Sequence, residues 1–443
     1  MRQRQLQGAL RLDRARTRKA RNAVVTGTDI DRAALLERYR RNREQTAAIF
    51  GLVDPDAFYD RPIPLRHPFA FYEGHIPDFS FLTLNERGLG ENPFDPTLER
   101  LFERGIDPGS LDDARRHDRS DWPDRQAVAA FAARCDEHVI SALASGQIEN
   151  PKVPRLVRAQ AAYTILEHEE MHQETLTYII HQLADDRKHA VSSKHQDHQI
   201  PPAPMRRVGA GTATLGVELD EIPFGWDNEF RRTEVDVAAF EIETYAVTNG
   251  QWLRFVKAGG PVPAFWRARD GTWMLKTVFE EIPLPHSWPV YVSHQQARAY
   301  ATWAGKRLPS EAEYHRAAFG TPAGGERPFP WGADSPAPRY GNFGFERFDP
   351  EPVDAHPEGA SAWGVVELIG NGWEWTSTPF APLPGFEPMA SYPQYSADFF
   401  DGKHYVMKGA SPVTPRELIR RSFRNWFYDD YPYMYAKFRC VAA

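Results

Sequence analysis

Lys306-Arg307-Leu308-Pro309-Ser310-Glu311-Ala312-Glu313-Tyr314 and Gly370-Asn371-Gly372-Trp373-Glu374-Trp375-Thr376 fall in the half of the chain with the least regular pattern. Around them short β-like runs alternate with turns, as in Arg206–Val217 and Glu234–Val247, and two short helices, Asn249–Val256 and Ser293–Ala304, interrupt. Gly, Pro and Trp recur. That mixture predicts an irregular, loop-rich α+β domain over 205–443. Upstream the texture is helical. Apolar residues at helical spacing run over 29–50, where Asp29 or Asp31 would cap the first turn, then over 68–86, 123–145 and 152–184. Four amphipathic helices predict a bundle over 29–188. The polar segment 189–204, ending in Pro201, Pro202 and Pro204, is the expected linker. Residues 1–28 are expected to be a basic N-terminal arm, since 1–22 carry eight Arg or Lys and one Asp.

Composition narrows the function. The 443 residues are 42% hydrophobic and 26% charged, which suits a folded globular protein of two or three domains. No run approaches the ~20 apolar residues of a membrane helix, so no membrane association is expected. With 53 basic against 60 acidic residues the net charge is −7, which argues against a nucleic-acid partner. Cys135 and Cys440 are the two cysteines. Two cannot build a disulfide framework or a thiolate cluster, and they suit a reducing, cytoplasmic setting.

Histidine supplies the first chemical signal. Ten of the 15 histidines precede residue 200. His168 and His172, in Leu166-Glu167-His168-Glu169-Glu170-Met171-His172-Gln173-Glu174-Thr175, stand at i and i+4. On a helix both imidazoles share one face and can reach one ion. A third imidazole would leave open positions for substrate and oxygen on Zn, Fe, Cu or Ni. His75, in Tyr72-Glu73-Gly74-His75-Ile76, is the best third candidate because it sits mid-helix among apolar residues; His67 is the rival. The same ten residues match His-Glu-x-x-His, the pattern of zinc peptidases with Glu169 as general base, so hydrolysis competes with redox chemistry at this point.

The second half carries a resemblance. Tyr245-Ala246-Val247-Thr248-Asn249-Gly250-Gln251, then Pro289-Val290-Tyr291-Val292-Ser293 with Ala297, Ala299, Tyr300 and Trp303, then Lys306–Tyr314, Gly370–Thr376, Gly409-Ala410-Ser411 and Phe438-Arg439-Cys440 resemble, in order, six signatures of the formylglycine-generating-enzyme-like fold, a C-type-lectin variant. True formylglycine-generating enzymes bind copper through a cysteine pair; Cys440 stands alone in this half, so that activity is not expected. A fold of this kind behind a helical bundle with His-x-x-x-His-x-Glu resembles the sulfoxide synthases of ergothioneine biosynthesis, whose bundle is DinB-like. The resemblance implies a non-haem Fe(II) on His75, His168 and His172, and an oxidoreductase that uses O2 to join a donor to C2 of the imidazole of hercynine (Nα-trimethylhistidine). A non-enzymatic sugar-binding module, suggested by the lectin-like fold alone, has no use for the histidine cluster.

The resemblance also implies roles for single residues. Arg424-Asn425-Trp426 is similar to the family's Arg-Asn-Trp segment, which assigns hercynine contacts to Asn425 and Trp426 and places Arg424 among the substrate-binding residues. Of the two tyrosines in Ser391-Tyr392-Pro393-Gln394-Tyr395, Tyr392 is the expected proton donor near iron and Tyr395 an alternative or a substrate contact. Members that use γ-glutamylcysteine carry Asp directly after Asn-Trp, Arg four residues later, and Gln before the second ligand of the helical pair. This chain has Phe427, Tyr431 and Met171 there. A rebuilt donor pocket follows. The run Arg66–His75 and the tail Phe423–Arg439 look most like the selenoneine synthase branch, which joins a selenosugar to hercynine and forms a C–Se bond. The leading expectation is therefore selenoneine synthesis from hercynine, O2 and a selenosugar. An ergothioneine-type reaction with a thiol such as cysteine is the alternative.

Overall fold

The computed structural model describes residues 30–103, 122–191, 194–200 and 202–443. The expected basic arm, 1–28, lies outside the described residues. The chain forms two compact units, one from residues up to Ala190 together with Ala390–Tyr392, the other from Val191–Met389 and Pro393–Ala443. Helices fill the first and short sheets with helices the second, the α+β composition read from the pattern.

In the first unit α1 (Arg32–Phe50) begins where Asp31 accepts the amide of Ala34. α2 (Phe69–Ser80) passes into a π-helical stretch at Phe81–Leu89. Pro77 lies inside α2 and has no N–H to give to the preceding turn. A short α3 (Pro96–Phe102) follows, then α4 (Arg125–Ser145), capped by Asp124. α5 is Gln160–Gln182. The apolar pattern extends back to residue 152, but the backbone breaks before 160, with Arg158 and Ala159 both at φ of 54°. Apolar periodicity cannot register such a break.

α2 and α5 are both buried along most of their length; α5 carries the histidine pair. Its His168 is buried and its His172 half-buried. The opposite face is tied to α1 by polar contacts. Arg38 holds Glu170 at 2.6 and 2.7 Å, Arg43 and Thr46 hold Glu169 at 2.9 and 2.7 Å, and the Asn42 amide donates to the Leu166 carbonyl. Buried polar groups left unpaired cost more than paired ones gain, so these contacts fix the rotation of α5 about its axis.

The second unit contains β1 (Arg206–Val208), β2 (Gly211–Leu215), β3 (Thr233–Val237), β4 (Phe240–Ile242), α6 (Asn249–Lys257), β5 (Trp266–Arg269), β6 (Thr272–Lys276), β7 (Glu281–Pro283), α7 (His294–Trp303), β8 (Lys306–Arg307), α8 (Glu311–Phe319), β9 (Gly372–Pro379), β10 (His404–Ala410), β11 (Asn425–Tyr428), β12 (Ala436–Lys437) and β13 (Val441–Ala442). One sheet runs β1-β4-β13-β8, another β11-β10-β9-β12. Three of the sequence signatures are helix starts: Thr248 with Gln251, Ser293 with Gln296 and Ser310 with Glu313 form capping boxes. Two others meet in the core. Glu374 of β9 is bound by Lys437 at 2.9 Å and Arg439 at 2.6 Å, all three fully buried. Arg439 also donates to the carbonyls of Thr244 and Val366. This triad pins β9 and β12 side by side. Among the described residues no helix is long and apolar enough to cross a membrane.

Candidate metal centre

α2 and α5 bring three imidazoles together. One ring nitrogen from each of His75, His168 and His172 lies within 4.8 Å of the others, the one such group of His, Cys, Asp or Glu among the described residues. His67 is buried elsewhere in the unit's aromatic packing, its ring 4.1 Å from Phe71.

His75 is fully buried and its Nδ1 stands 2.6 Å from the Phe102 carbonyl. A carbonyl only accepts, so Nδ1 carries the proton and Nε2 presents a lone pair. That Nε2 meets no hydrogen-bond partner among the described residues. Phe102 reaches His75 because Gly74 has no side chain: a Cβ there would meet the Phe102 ring at 2.5 Å. The Nε2 atoms of His168 and His172 are 3.1 Å apart. Two nitrogens each about 2.1 Å from one ion at a right angle stand roughly 3.0 Å apart, so the pair fits a shared metal. Their Nδ1 atoms have no partner among the described residues. Aromatic rings border these imidazoles instead: Phe79 lies against His168, and Tyr72 leans on His172 with 5.6 Å between ring centroids.

Burial pushes the His75 imidazole down to about 4. Burial first, and then the His172 and His75 imidazoles, hold His168 well below its ordinary value; burial, then His75 and the Arg66 charge, do the same for His172. All three rings are therefore neutral near pH 7, the form that ligates a metal. A site of three neutral nitrogens with one orphaned lone pair suits a borderline transition metal and not Mg or Ca.

Glu169 follows His168 directly, yet its Oε1 is bound by Arg43 and Thr46 of α1. The peptidase reading requires that carboxylate at the ion, and the α1 contacts draw it away.

Tyr392 belongs to the same unit as the histidines. Its ring stands 5.2 Å from Phe79 and 6.3 Å from His168, edge-on to both. The adjacent Ser391 fixes it, because its amide donates to the Gln160 side chain at 3.1 Å and its hydroxyl lies 2.8 Å from Thr164 Oγ1. Met171 lies half-buried on α5 between the two ligand candidates.

The remaining candidates sit in the second unit. Tyr395 is stacked on Trp226 at 3.8 Å and meets Trp426 edge-on at 5.1 Å. Trp426 is stacked on Phe380, 4.2 Å away and 6° from parallel. Asn425 and Trp426 are half-buried at the start of β11. Phe427 and Tyr431 lie side by side at 5.0 Å. Arg424 is buried and bound in a fork by Glu311 at 2.9 and 3.1 Å, and it also donates to the carbonyls of Asn228 and Ala381. Every guanidinium nitrogen thus has a protein acceptor, the geometry of a strut. Sequence reasoning missed Phe102, whose backbone orients His75, and the Trp226–Glu229 turn. Gly74 beside His75 was the one available hint of the first.

Two family models match the chain. A sulfatase-modifying factor enzyme 1-like domain covers residues 190–443 and a DinB superfamily domain covers 38–176. The chain is 31% identical to the hercynine oxygenase of Mycolicibacterium thermoresistibile over 442 aligned residues, 91% of this chain and 93% of that one. It is also 31% identical to the hercynine oxygenase of Mycolicibacterium smegmatis, over 90% and 96% of the two chains. With that of Mycobacterium tuberculosis identity is 40% over 241 residues, 49% of this chain and 55% of the relative.

Proposed function

The chain belongs to the hercynine oxygenase family of ergothioneine biosynthesis, and from that premise we propose that it is an O2-dependent oxidoreductase forming a new bond at C2 of the hercynine imidazole. The observation that carries this reading is the convergence of His75, His168 and His172 in one buried pocket with Tyr392 beside them. These histidines would hold Fe(II), which when bound supplies redox chemistry toward O2 and open positions for the reactants. Overall, the imidazole C–H and the donor's chalcogen–H are replaced by a carbon–chalcogen bond; one oxygen atom goes to the chalcogen and the other leaves as water.

The chain's own residues divide the work. Phe79 and the Phe102 carbonyl set the planes of His168 and His75. Tyr392 delivers or holds a proton at its phenol oxygen as O2 is reduced. Trp426, stacked on Phe380 by one face and met edge-on by Tyr395, gives the trimethylammonium its other π face, an interaction of roughly 0.5–2 kcal/mol, and Asn425 beside it supplies polar contacts. Arg424 acts through these two, holding the start of β11 against Glu311.

We propose a selenosugar as donor. Phe427 and Tyr431 form an apolar pair where a dipeptide donor would need Asp and Arg, and an aromatic wall suits a sugar face. A thiol donor such as cysteine is the second reading, favoured by the names of the relatives. The experiment is a competition: Fe(II)-loaded protein with hercynine, O2, a selenosugar, cysteine and γ-glutamylcysteine, and products weighed by mass spectrometry. A selenium isotope pattern on hercynine is expected; a sulfur adduct alone would overturn the donor assignment. Alanine at His75, His168 or His172 should abolish both iron retention and adduct formation, and iron retained by all three variants would remove the site.

A further inference from the structure

The turn Trp226-Asp227-Asn228-Glu229 contacts both segments that carry the candidate substrate residues. Its carboxylates and its ring are turned toward them. Asp227 is buried; its Oδ1 accepts the Ser396 hydroxyl at 2.5 Å and its Oδ2 accepts the Met389 amide at 3.4 Å. Met389 and Ser396 are the two ends of the loop that bears Tyr392 and Tyr395. Trp226 stacks on Tyr395 within that loop. Asn228 gives its carbonyl to Arg424, the residue before Asn425 and Trp426. Glu229, fully buried, takes Arg420 at 2.8 and 2.5 Å and Ser422 at 2.7 Å from the segment leading into β11. Four consecutive residues thus reach two segments 160 to 200 positions downstream.

A stability role alone would explain Glu229, a fully buried carboxylate paired with Arg420. It does not explain why one carboxylate bridges the two ends of a loop and leaves the loop's middle to be anchored elsewhere, by Ser391 on Gln160 and Thr164. Tying both ends shortens the free span to the residues between 389 and 396, and so narrows the positions open to both tyrosines.

We propose that Asp227 is a positioning residue: by clasping Met389 and Ser396 it sets the loop that places Tyr392 for proton transfer. This inference rests on the reading of Tyr392 given above. Asp227 touches neither the histidines nor, in this account, the substrate; it acts through the loop.

The test uses the full-length, Fe(II)-loaded protein and the variants Ser396→Ala, Ser396→Thr and Asp227→Asn. Ser396→Ala removes a single donor and keeps the buried carboxylate, so it stays informative if Asp227→Asn folds poorly. Hydrogen exchange is measured without substrates, and turnover with hercynine and donor. In Ser396→Ala the amides of 389–396 should exchange about tenfold faster, the scale of one lost hydrogen bond. Iron content should be unchanged, kcat for the adduct about tenfold lower and the hercynine KM within about twofold of wild type. Ser396→Thr, which keeps the hydroxyl, should restore both exchange and kcat. Unchanged exchange in Ser396→Ala, no rescue by threonine, or a fall in iron content parallel to kcat would each overturn the proposal. If wild-type protein forms no hercynine adduct at all, the functional reading fails, while the exchange data still decide whether Asp227 clasps the loop.

Discussion

The ring of Phe79 lies flat on the imidazole of His168, with 3.6 Å between centroids and 14° between planes. Since Nδ1 of His168 has no partner among the described residues, this stack stands in for the hydrogen bond that usually orients a ligand histidine. Phe79→Leu keeps most of the volume and removes the flat face. Fe(II) affinity should fall about tenfold, the low end of what losing an orienting partner costs, with a thermal midpoint close to wild type. Titration of the metal-free protein with Fe(II) under anaerobic conditions measures it; unaltered affinity would mean that α5 alone orients His168.

Gly74 makes a second prediction about orientation, on the other helix. A methyl group at 74 meets the Phe102 ring at 2.5 Å, so Phe102 must move and its carbonyl must leave Nδ1 of His75. Gly74→Ala should lower metal affinity by roughly 10–100-fold and destabilise the first unit by about 1–3 kcal/mol from overpacking. The pair Gly74→Ala with Phe102→Leu relieves the clash and should recover stability more than affinity. Recovery of both together would show that crowding, and not the carbonyl, was at fault.

Tyr392→Phe removes one oxygen from a ring otherwise held by Phe79 and by the Ser391 anchors. Iron content and hercynine affinity should stay within about twofold of wild type. Turnover should drop, or divert from adduct to oxidised donor, because the proton must come from elsewhere. Product analysis under single-turnover conditions separates the two. A variant with the wild-type product ratio and rate would move the proton-transfer role to another group.

Asp78 predicts a pH dependence of stability. It is fully buried in α2, neither carboxyl oxygen meets a partner among the described residues, and burial, with smaller help from Glu99 and Glu103, lifts it to about 9. The folded protein thus keeps a proton there that the unfolded chain releases near pH 4. Between those two values the folded state binds more protons, so stability falls as pH rises, by an amount on the order of a few kcal/mol across neutrality. Asp78→Asn cannot ionise and should flatten that slope. Thermal midpoints of wild type and variant, both metal-free, between pH 5 and 9 test it: parallel curves would show that Asp78 finds a partner when charged.

The sequence made the helices legible because their apolar spacing and Asp caps are local. The His168–His172 pair was legible for the same reason, since i and i+4 on a helix dictate a shared face. The choice of His75 over His67 needed the apolar setting of α2 and the family resemblance. What stayed hidden depends on distance along the chain. The Phe102 carbonyl lies 27 residues from His75, and Ser396 lies 169 from Asp227. No local pattern announces such contacts. Arg424 shows the converse: its motif suggested a substrate contact, but Glu311, 113 residues away, binds the guanidinium. The break at Arg158 and Ala159 escaped because two alternative backbone conformations share one side-chain pattern.

The Glu374–Lys437–Arg439 triad has a consequence for how the chain acquires its structure during synthesis. Until residues 437 and 439 have emerged, Glu374 is a carboxylate waiting for a buried place without its cations, and β13 cannot fill its position between β4 and β8. Glu243 meets Lys306 earlier, but its carbonyl and its other carboxylate oxygen wait for Arg439 and Cys440, 196 and 197 residues downstream. The second unit is therefore expected to leave this sheet edge open until its last residues are made, a state exposed to chaperones and to aggregation. Expression at lower temperature should raise the yield of assembled protein for that reason.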